Sequence, residues 1–395
     1  MKAYKTELQV NNKQASYFTE CAGFARFVYN WALAFWIEEH KDGKKRTGWM
    51  KLSNELTKQK QSEFTWMYKY PNKIRAYALR NYDQAYQNLF RNIKNGKRAG
   101  FPNFKSKKIS PQSFTLSGDR IDIKETKVKL PKIGWVSLKE HGYIPVNKKI
   151  VNATISEKNK RWYISVLVEE EAVEKAPEPE KVIGVDLGIS HLAITSEGVF
   201  YENHKTLYKA EKKLKRLDRK VSRRVKGSKN REKAKLERAK AYEKVSRIRE
   251  HYLHQVTTEL AKTKSVIVIE DLNVAGMQKN HHLAKAISDA SFAEFRRMLG
   301  YKCPEYGSQL VIVDRFFPSS KTCSNCGAIK SDLKLSDRVF RCNDCGFEID
   351  RDLNAALNLR AKYVRSYACG EDIIPAESLQ AASLKQEAGC EVSYV

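Results

Sequence analysis

Apolar positions change their period several times along the chain, and each change marks a structural element. Residues 3 to 10 read as a short strand, and the run CAGFARFVYNWALAFW that begins at Cys21 is too densely apolar and aromatic for an exposed helix. Between about 72 and 94, Ile74, Ala78, Tyr82, Ala85, Leu89 and Ile93 recur at steps of three and four, which predicts a helix with one buried face. Lys73, Arg75, Arg80 and Arg91 fall largely off that stripe, so a small bundle with a basic outer surface is expected. After the Pro and Gly of AGFPNFKSKK the pattern turns to strands: KVKLPKIGWVSL, then KIVNATIS and RWYISVLVEE as a hairpin around EKNK. The acidic, proline-bearing EEEAVEKAPEPE at 169–180 reads as a linker and sets a domain boundary near residue 180.

Beyond the linker, KVIGVDLGI, HLAITS, a Glu197-Gly198 turn and VFYE form a strand meander. Residues 205–260 are helical: Leu207, Ala210, Leu214, Leu217 and Val221 step by three and four, Gly227-Ser228 breaks the pattern, and Ala241, Val245, Ile248, Tyr252 and Val256 resume it. An antiparallel helical hairpin follows from that spacing. SVIVIED at 265–271 is a buried strand, ASFAEFRRMLGYKCPEYG a helix, and QLVIVDRFF another strand. Past residue 363 the signal fades, and 364–395 is expected to be a variable, partly disordered tail.

Composition sharpens this outline. At 395 residues the chain can bury two or three cores, and 42% apolar residues under a net charge of +27 describe a folded protein with a polyanionic partner. The charge is concentrated: 205–250 holds about 20 Lys or Arg against about six acids. A hairpin held by its own ion pairs would carry balanced charge, so this one is expected to meet nucleic acid. No apolar stretch approaches the roughly 18 residues of a membrane span, and the N-terminus lacks the apolar core of a signal peptide. A cytoplasmic, membrane-free protein, nucleoid-associated when bound to DNA, is expected.

Three acids carry the candidate chemistry. Asp186 follows the apolar run Val182, Ile183 and Val185; Glu270 follows Val266, Ile267, Val268 and Ile269; a third acid opens a helix in DRDLNAALNL, where Asp350 and Asp352 both qualify. A carboxylate buried behind an apolar strand is costly unless something pairs with it. In-line hydrolysis of a phosphodiester uses two divalent ions about 3.5 to 4 Å apart, held by shared carboxylates. Mg²⁺ keeps several waters, so three or four protein oxygens suffice. Ahead of the third acid stands Cys323-x2-Cys326-x15-Cys342-x2-Cys345, each knuckle followed by glycine, the spacing of a closed, structural zinc site. Cys21, Cys303, Cys369 and Cys390 are scattered, which suits a reducing compartment. The eight histidines show no HExxH spacing.

With GFARFVYNWALA, FPNFKSKK, VIGVDLGIS, RRVKGSKNREKAKLERA, IEDLNV, FFPSSKTCSNCG and CNDCGFEIDRDLNAALNL in this order, the chain from about 3 to 362 resembles the TnpB proteins of insertion sequences, relatives of the type V CRISPR effectors. The resemblance implies an α+β multidomain fold. An N-terminal oligonucleotide-binding β-barrel, or wedge, would span 1–10 and 101–175, interrupted by a helical recognition insert at 11–100. A RuvC nuclease domain of RNase H-like α/β fold would span 181–318 and 347–363, with the basic hairpin at 205–260 and a zinc-ribbon inserted at 319–346. It also implies catalytic, Mg²⁺-holding acids at Asp186, Glu270 and Asp352, the second acid of DRD. Two Mg²⁺ ions, for which Mn²⁺ can substitute, and a structural Zn²⁺ on Cys323, Cys326, Cys342 and Cys345 would be the cofactors.

The implied activity is RNA-guided cleavage of double-stranded DNA beside a short adjacent motif, with a guide RNA from the transposon end and a monomer of protein on its RNA. Helix positions suggest Trp49, Lys51, Ser53, Asn72, Lys73 and Ala76 as motif readers. Lys105 and Lys107 in FPNFKSKK, with Arg223 and Arg224 in the hairpin, are the candidate backbone contacts. Three rival readings stand beside this one: a guide-independent RuvC-like nuclease acting on branched DNA, an RNA-guided DNA-binding repressor, and a transposase. The intact acid triad counts against the repressor, and no recombinase tyrosine context supports the transposase. Affinity for nucleic acid should fall steeply with salt as phosphate contacts release counterions. A titration whose affinity stays flat as salt rises would remove the basic hairpin as a binding face.

Overall fold

A computed structural model describes residues 1–170, 181–334 and 336–368. Most of the acidic linker and the tail from 369 onward, with Cys369 and Cys390, lie outside the described residues. The chain divides into two compact units, Met1–Glu171 and Ala172–Val395.

In the first unit, β1 (Lys2–Gln9) leads directly into α1 (Asn12–Lys41). Asn11 starts the helix by a reciprocal cap: its side chain accepts from the Gln14 amide, and the Gln14 side chain accepts from the Asn11 amide. The dense apolar run becomes the inner face of α1, burying Phe18, Cys21, Ala22, Val28, Ala32 and Leu33. Next come α2 (Trp49–Ser62), a 3-10 turn over Thr65–Lys69, and α3 (Asn72–Lys94).

Along α3, Ile74, Ala78, Tyr82 and Leu89 are buried as their spacing predicts, whereas Ile93 is 57% exposed. At 3.6 residues per turn the stripe drifts by about 100° between Ile74 and Ile93, which carries the last member out of the core. The basic residues also divide. Lys73, Arg80 and Arg91 are exposed, but Arg75 is buried, with Tyr68 of the 3-10 turn beside it. The expectation of a wholly basic outer face is corrected at that position, because the turn covers the start of α3.

The sheet of this unit adds β2 (Ser113–Ser117), β3 (Asp122–Lys124), β4 (Lys127–Leu130), β5 (Gly134–Leu138), β6 (Ile150–Lys158) and β7 (Arg161–Val168). Its order is β2-β6-β7-β1-β5-β4-β3, antiparallel throughout, so the helices interrupt the chain just after its central strand. The edge strands β2 and β3 are joined by a 3-10 turn over Gly118–Arg120 and share no ladder among the described residues. The EKNK hairpin forms as read: Asn159 and Lys160 take φ of 53° and 61°, the paired left-handed conformation of a tight hairpin turn.

The second unit is built on β8 (Val182–Asp186), β9 (His191–Thr195), β10 (Phe200–Glu202), α4 (Thr206–Ser222), α5 (Lys229–Thr263) and β11 (Val266–Glu270). After these follow α6 (Val274–Met277), α7 (Ala284–Ala290), α8 (Phe292–Tyr306), β12 (Gln309–Val313), β13 (Val339–Arg341), β14 (Glu348–Asp350) and α9 (Arg351–Ala368). The stretch read as one helix around Ala290 is broken at Ser291, whose φ of 56° ends α7 and begins α8. Conversely, α9 runs to Ala368, past the point where the sequence signal fades, with Tyr363 and Ser366 buried along it.

The five-stranded sheet has the order β10-β9-β8-β11-β12; β8, β9 and β10 are antiparallel neighbours, while β8, β11 and β12 run parallel. Both β8 and β11 are apolar through four consecutive buried residues because protein covers each face. On one face Ile183, Val185, Ile267 and Ile269 join Leu253, Val256 and Leu260 of α5 and Phe295 and Met298 of α8. On the other, Val182, Val266 and Val268 meet Leu359 and Tyr363 of α9.

One residue permits that second packing. A Cβ on Gly184 would stand 2.0 Å from the carbonyl oxygen of Ala356 and 2.7 Å from the amide nitrogen of Arg360, both backbone atoms of α9. Gly184→Ala should therefore force the helix off the strand. We expect a loss on the order of 3 kcal/mol, a fall in Tm of roughly 6–12 °C. An unchanged thermal melt would show that α9 does not depend on this contact.

Candidate active site and metal centre

The parallel register brings two of the three acids level. Val185 pairs with Ile269, so the next residues, Asp186 and Glu270, lie side by side at the carboxyl ends of neighbouring strands. Open α/β sheets bind ligands at that end of the strands. The third acid arrives on α9, which crosses β8 and β11 and carries Asp352 in its first turn.

Local hydrogen bonding separates Asp350 from Asp352. Asp350 accepts from the amides of Asp352 at 2.9 Å and Leu353 at 3.0 Å, both on Oδ1, so one oxygen of its carboxylate caps α9. Asp352 is left to face Asp186, held by the Arg351 guanidinium at 2.9 Å with Arg338 at 3.9 Å. Asp271, adjacent to Glu270, is bound by Arg296 and Arg315. Burial opposes its ionisation, but those two guanidinium groups hold it below the usual carboxylate range.

The charges converge on Asp186. Burial pushes its carboxyl well above the ordinary range, and the like charges of Asp352 and Glu270 add to this, against a smaller opposing effect of Arg351. Glu270 is raised as well, first by burial, with the Ser319 hydroxyl donating to it at 3.4 Å and pulling the other way. With Asp352 and Glu270 both acting on the buried Asp186, the three carboxylates form a donor set suited to a hard divalent cation, which would neutralise the repulsion at Asp186. They are less tightly gathered than the cysteines, which among the described residues are the compact metal-ligand group.

The cysteine site is assembled by two matching turns. In one the Cys323 amide donates to the Ala328 carbonyl and the Gly327 amide to the Cys323 carbonyl; in the other Cys342 pairs likewise with Phe347, and Gly346 with Cys342. Gly327 and Gly346 occupy the left-handed region, at φ of 82° and 71°. Across the turns, Cys323 and Cys345 sulfurs lie 3.7 Å apart and those of Cys326 and Cys342 3.6 Å apart. A disulfide needs about 2.05 Å, whereas tetrahedral zinc with sulfur at about 2.3 Å sets the sulfurs roughly 3.8 Å apart. The amide of Phe347 leads the groups that lower the Cys345 thiol to about 6, while Cys326, despite the amide of Ala328, is pushed up to about 12 by its thiol neighbours. A cation held among the four sulfurs would offset the charge of the thiolates that bind it. Phe340, fully buried, fills the ribbon behind the sulfurs, and the β13–β14 hairpin closes it and leads straight into α9.

Three polar residues that the sequence reading passed over join the two sites. Asn358 on α9 donates to the Ser319 carbonyl at 2.8 Å and the Thr322 carbonyl at 2.6 Å; Asn354 donates to Thr322 at 2.7 Å and accepts from the Ser324 amide at 3.0 Å. Ser319, so held, is the residue that reaches Glu270. The signal was present in DRDLNAALNL: two asparagines at i and i+4 within an otherwise apolar run.

The other candidate contacts are dispersed. Lys51, Asn72 and Lys73 are exposed at the starts of α2 and α3, Ser53 and Ala76 are half-buried beside them, and the Trp49 ring is covered by the Arg80 guanidinium at 4.7 Å. Lys107 is exposed, while Lys105 turns inward, its Nζ 3.9 Å from the Tyr29 ring centre. Arg223 and Arg224 are exposed where α4 gives way to the turn before α5. In the hairpin the acids are engaged, Lys220 with Glu237 and Arg238 with Asp218, which leaves most of its cations unmatched by a carboxylate.

Fold and site together define a two-unit α/β protein with an acid-lined sheet end and a four-cysteine ribbon inserted beside it. Family models match in three places: "Probable transposase" over 164–281, "Cas12f1-like, TNB domain" over 292–359 and "Helix-turn-helix domain" over 1–45. Two proteins named "Putative RNA-guided DNA endonuclease" are similar along nearly their whole length. That of Streptomyces pristinaespiralis is 34% identical, covering 98% of this chain and 96% of that protein, and InsQ of Escherichia coli K12 is 32% identical, covering 94% of each. A Cas12f1–sgRNA–target DNA complex contains a chain of similar fold, at a TM-score of 0.56 and 16% identity over 89% of this chain and 83% of that one. The chain belongs to the TnpB family.

Stripping zinc with a strong chelator should abolish hydrogen-exchange protection at the amides of Cys323, Gly327, Cys342 and Gly346 while β8 and β11 stay protected. Unaltered protection at those four amides would remove the metal from the ribbon.

Proposed function

We propose that this chain is an RNA-guided DNA endonuclease, and that Asp186, Glu270 and Asp352 are its catalytic acids. The observation that carries the reading is the convergence of Glu270 and Asp352 on the buried Asp186 at one sheet end, in a protein whose full-length relatives bear that name. The cut strand would enter at the carboxyl ends of β8 and β11. Bound there, two Mg²⁺ or Mn²⁺ ions would supply charge neutralisation of the attacking and leaving oxygens.

The chain's own part is to hold the acids. Asp186 and Glu270 are fixed by strand register, and Asp352 by the seating of α9 on Gly184. Arg351 and Arg338 hold the Asp352 carboxylate in place, and the Ser319 hydroxyl restrains Glu270. The guide, an RNA from the transposon end, pairs with one strand of double-stranded DNA, so that base pairing reads sequence while protein reads a short adjacent motif and backbone shape. Strand exchange is close to energy-neutral, and the unmatched cations of the α4–α5 hairpin supply backbone contacts that tip it. The protein acts as a monomer on its RNA, in the cytoplasm at nucleoid DNA; among the described residues no helix is long and apolar enough to cross a membrane. The domain limits follow the reading above: a wedge of 1–10 and 101–175, a recognition insert of 11–100, and a RuvC-like domain of 181–318 and 347–363 enclosing the ribbon.

The test is cleavage by protein purified with the RNA it retains, on a duplex matching that RNA. Asp186→Ala should lower the cleavage rate roughly a thousand-fold or more and leave RNA and duplex binding within about twofold of wild type. Loss of RNA binding in this variant would make Asp186 a structural residue. Cleavage of branched DNA by RNA-free protein would replace the guided reading with the guide-independent one.

A further inference from the structure

The helical insert holds a buried cation that no acid among the described residues answers. Arg75, on α3, is 8% exposed, and its Nε and Nη1 have no hydrogen-bond partner among the described residues. Two further cations gather near it from other elements. Lys60, in the last turn of α2, sets its Nζ 3.9 Å from the centre of the Tyr68 ring. Lys132, in the turn between β4 and β5 with φ of 62°, donates from Nζ to the Tyr68 carbonyl. Burial lowers the Lys60 ammonium first, and the charges of Arg75 and Lys132 lower it further; among the described residues no carboxylate acts on either Lys60 or Arg75.

Such a grouping is unfavourable as it stands. A guanidinium stays protonated, so Arg75 cannot relieve its burial by losing a proton, and desolvating an unpaired ion costs several kcal/mol. Two more like charges raise that cost. An anion beside the three would reverse the balance, because its charge offsets the guanidinium through space while the less buried Lys60 and Lys132 ammonium groups can donate to phosphate oxygens. The neighbouring surface points to a nucleic-acid strand as the source. Tyr68 and Trp66 of the same 3-10 turn are 54% and 43% exposed, aromatic faces on which a base can stack beside its own phosphate.

We propose that Arg75, Lys60 and Lys132 form a phosphodiester cradle, in which one backbone phosphate of a bound strand neutralises the three cations around Tyr68. The proposal names a contact point for the strands of the proposed function and rests on that reading for its partner. None of these three residues stands among the contacts that the sequence suggested.

Its test turns on opposite signs. Free full-length Arg75→Met should melt at or above the wild-type temperature, since a buried unmatched charge is gone. The same variant should bind its strand about tenfold more weakly, with the salt slope reduced by about one. Lys132→Ala, an exposed change, should weaken binding and flatten the slope in the same direction. The probes are an arbitrary single-stranded RNA of about 20 nucleotides and an arbitrary DNA duplex of about 20 base pairs; whichever loses slope names the strand that occupies the cradle. Wild-type slopes in both variants on both probes would overturn the proposal. So would a destabilised Arg75→Met together with an unaffected Lys132→Ala, the signature of a packing residue. Because no cleavage is read, a slope change in a protein that never cuts would keep the cradle and sink the guided endonuclease.

Discussion

The second unit depends on how closely α9 approaches β8. A strand and a helix normally keep a layer of side chains between them, but at Gly184 the backbones come within a distance that no Cβ tolerates. That contact sets where the first turn of α9 lies above the sheet end. Asp186 belongs to the strand and Asp352 to the helix, so a missing side chain two residues before one acid fixes its distance from the other. Leu359 and Tyr363 then supply the apolar area that holds the helix down.

The ribbon is tied to the same helix. Its two cysteine turns are short, exposed on one side and served by a core of a few residues around Phe340, too little apolar burial to order the segment alone. Four thiolates around one cation would offset that deficit. The order so gained would be passed on by Asn354 and Asn358, which donate to the carbonyls of Ser319 and Thr322, and by β14, which continues directly into α9. Cysteine ribbon and acid cluster thus share one helix as their common support, and Ser319 links the ribbon's stem to Glu270.

Charge is distributed on a different principle. In the α4–α5 hairpin, acids such as Asp218 and Glu237 are used across the two helices, so the surplus of Lys and Arg makes a positive field that favours a polyanion. In the first unit the surplus is partly internal, at Arg75, where burial makes each unmatched charge more costly and a bound phosphate more valuable. Affinity in the two places would therefore differ in kind: many weak, screened contacts along the hairpin, and one desolvated contact in the insert.

Local sequence was sufficient for the elements whose determinants are neighbours in the chain. The α3 stripe, the Asn159-Lys160 hairpin turn, the apolar strands ending at Asp186 and Glu270, the break at Gly227-Ser228 and the cysteine spacing all depend on periodicity or on residue types a few positions apart. Hence they could be read directly, and with them the metal site and the acid candidates. What needed the fold were relations between residues far apart in sequence: the pairing of Val185 with Ile269 that levels two acids, the use of Asp350 as a cap that frees Asp352, the demand for Gly184, and the burial of Arg75 under a turn. Periodicity along one helix cannot report what packs against it, so a position 100° off the stripe is surface at one end of α3 and interior at the other.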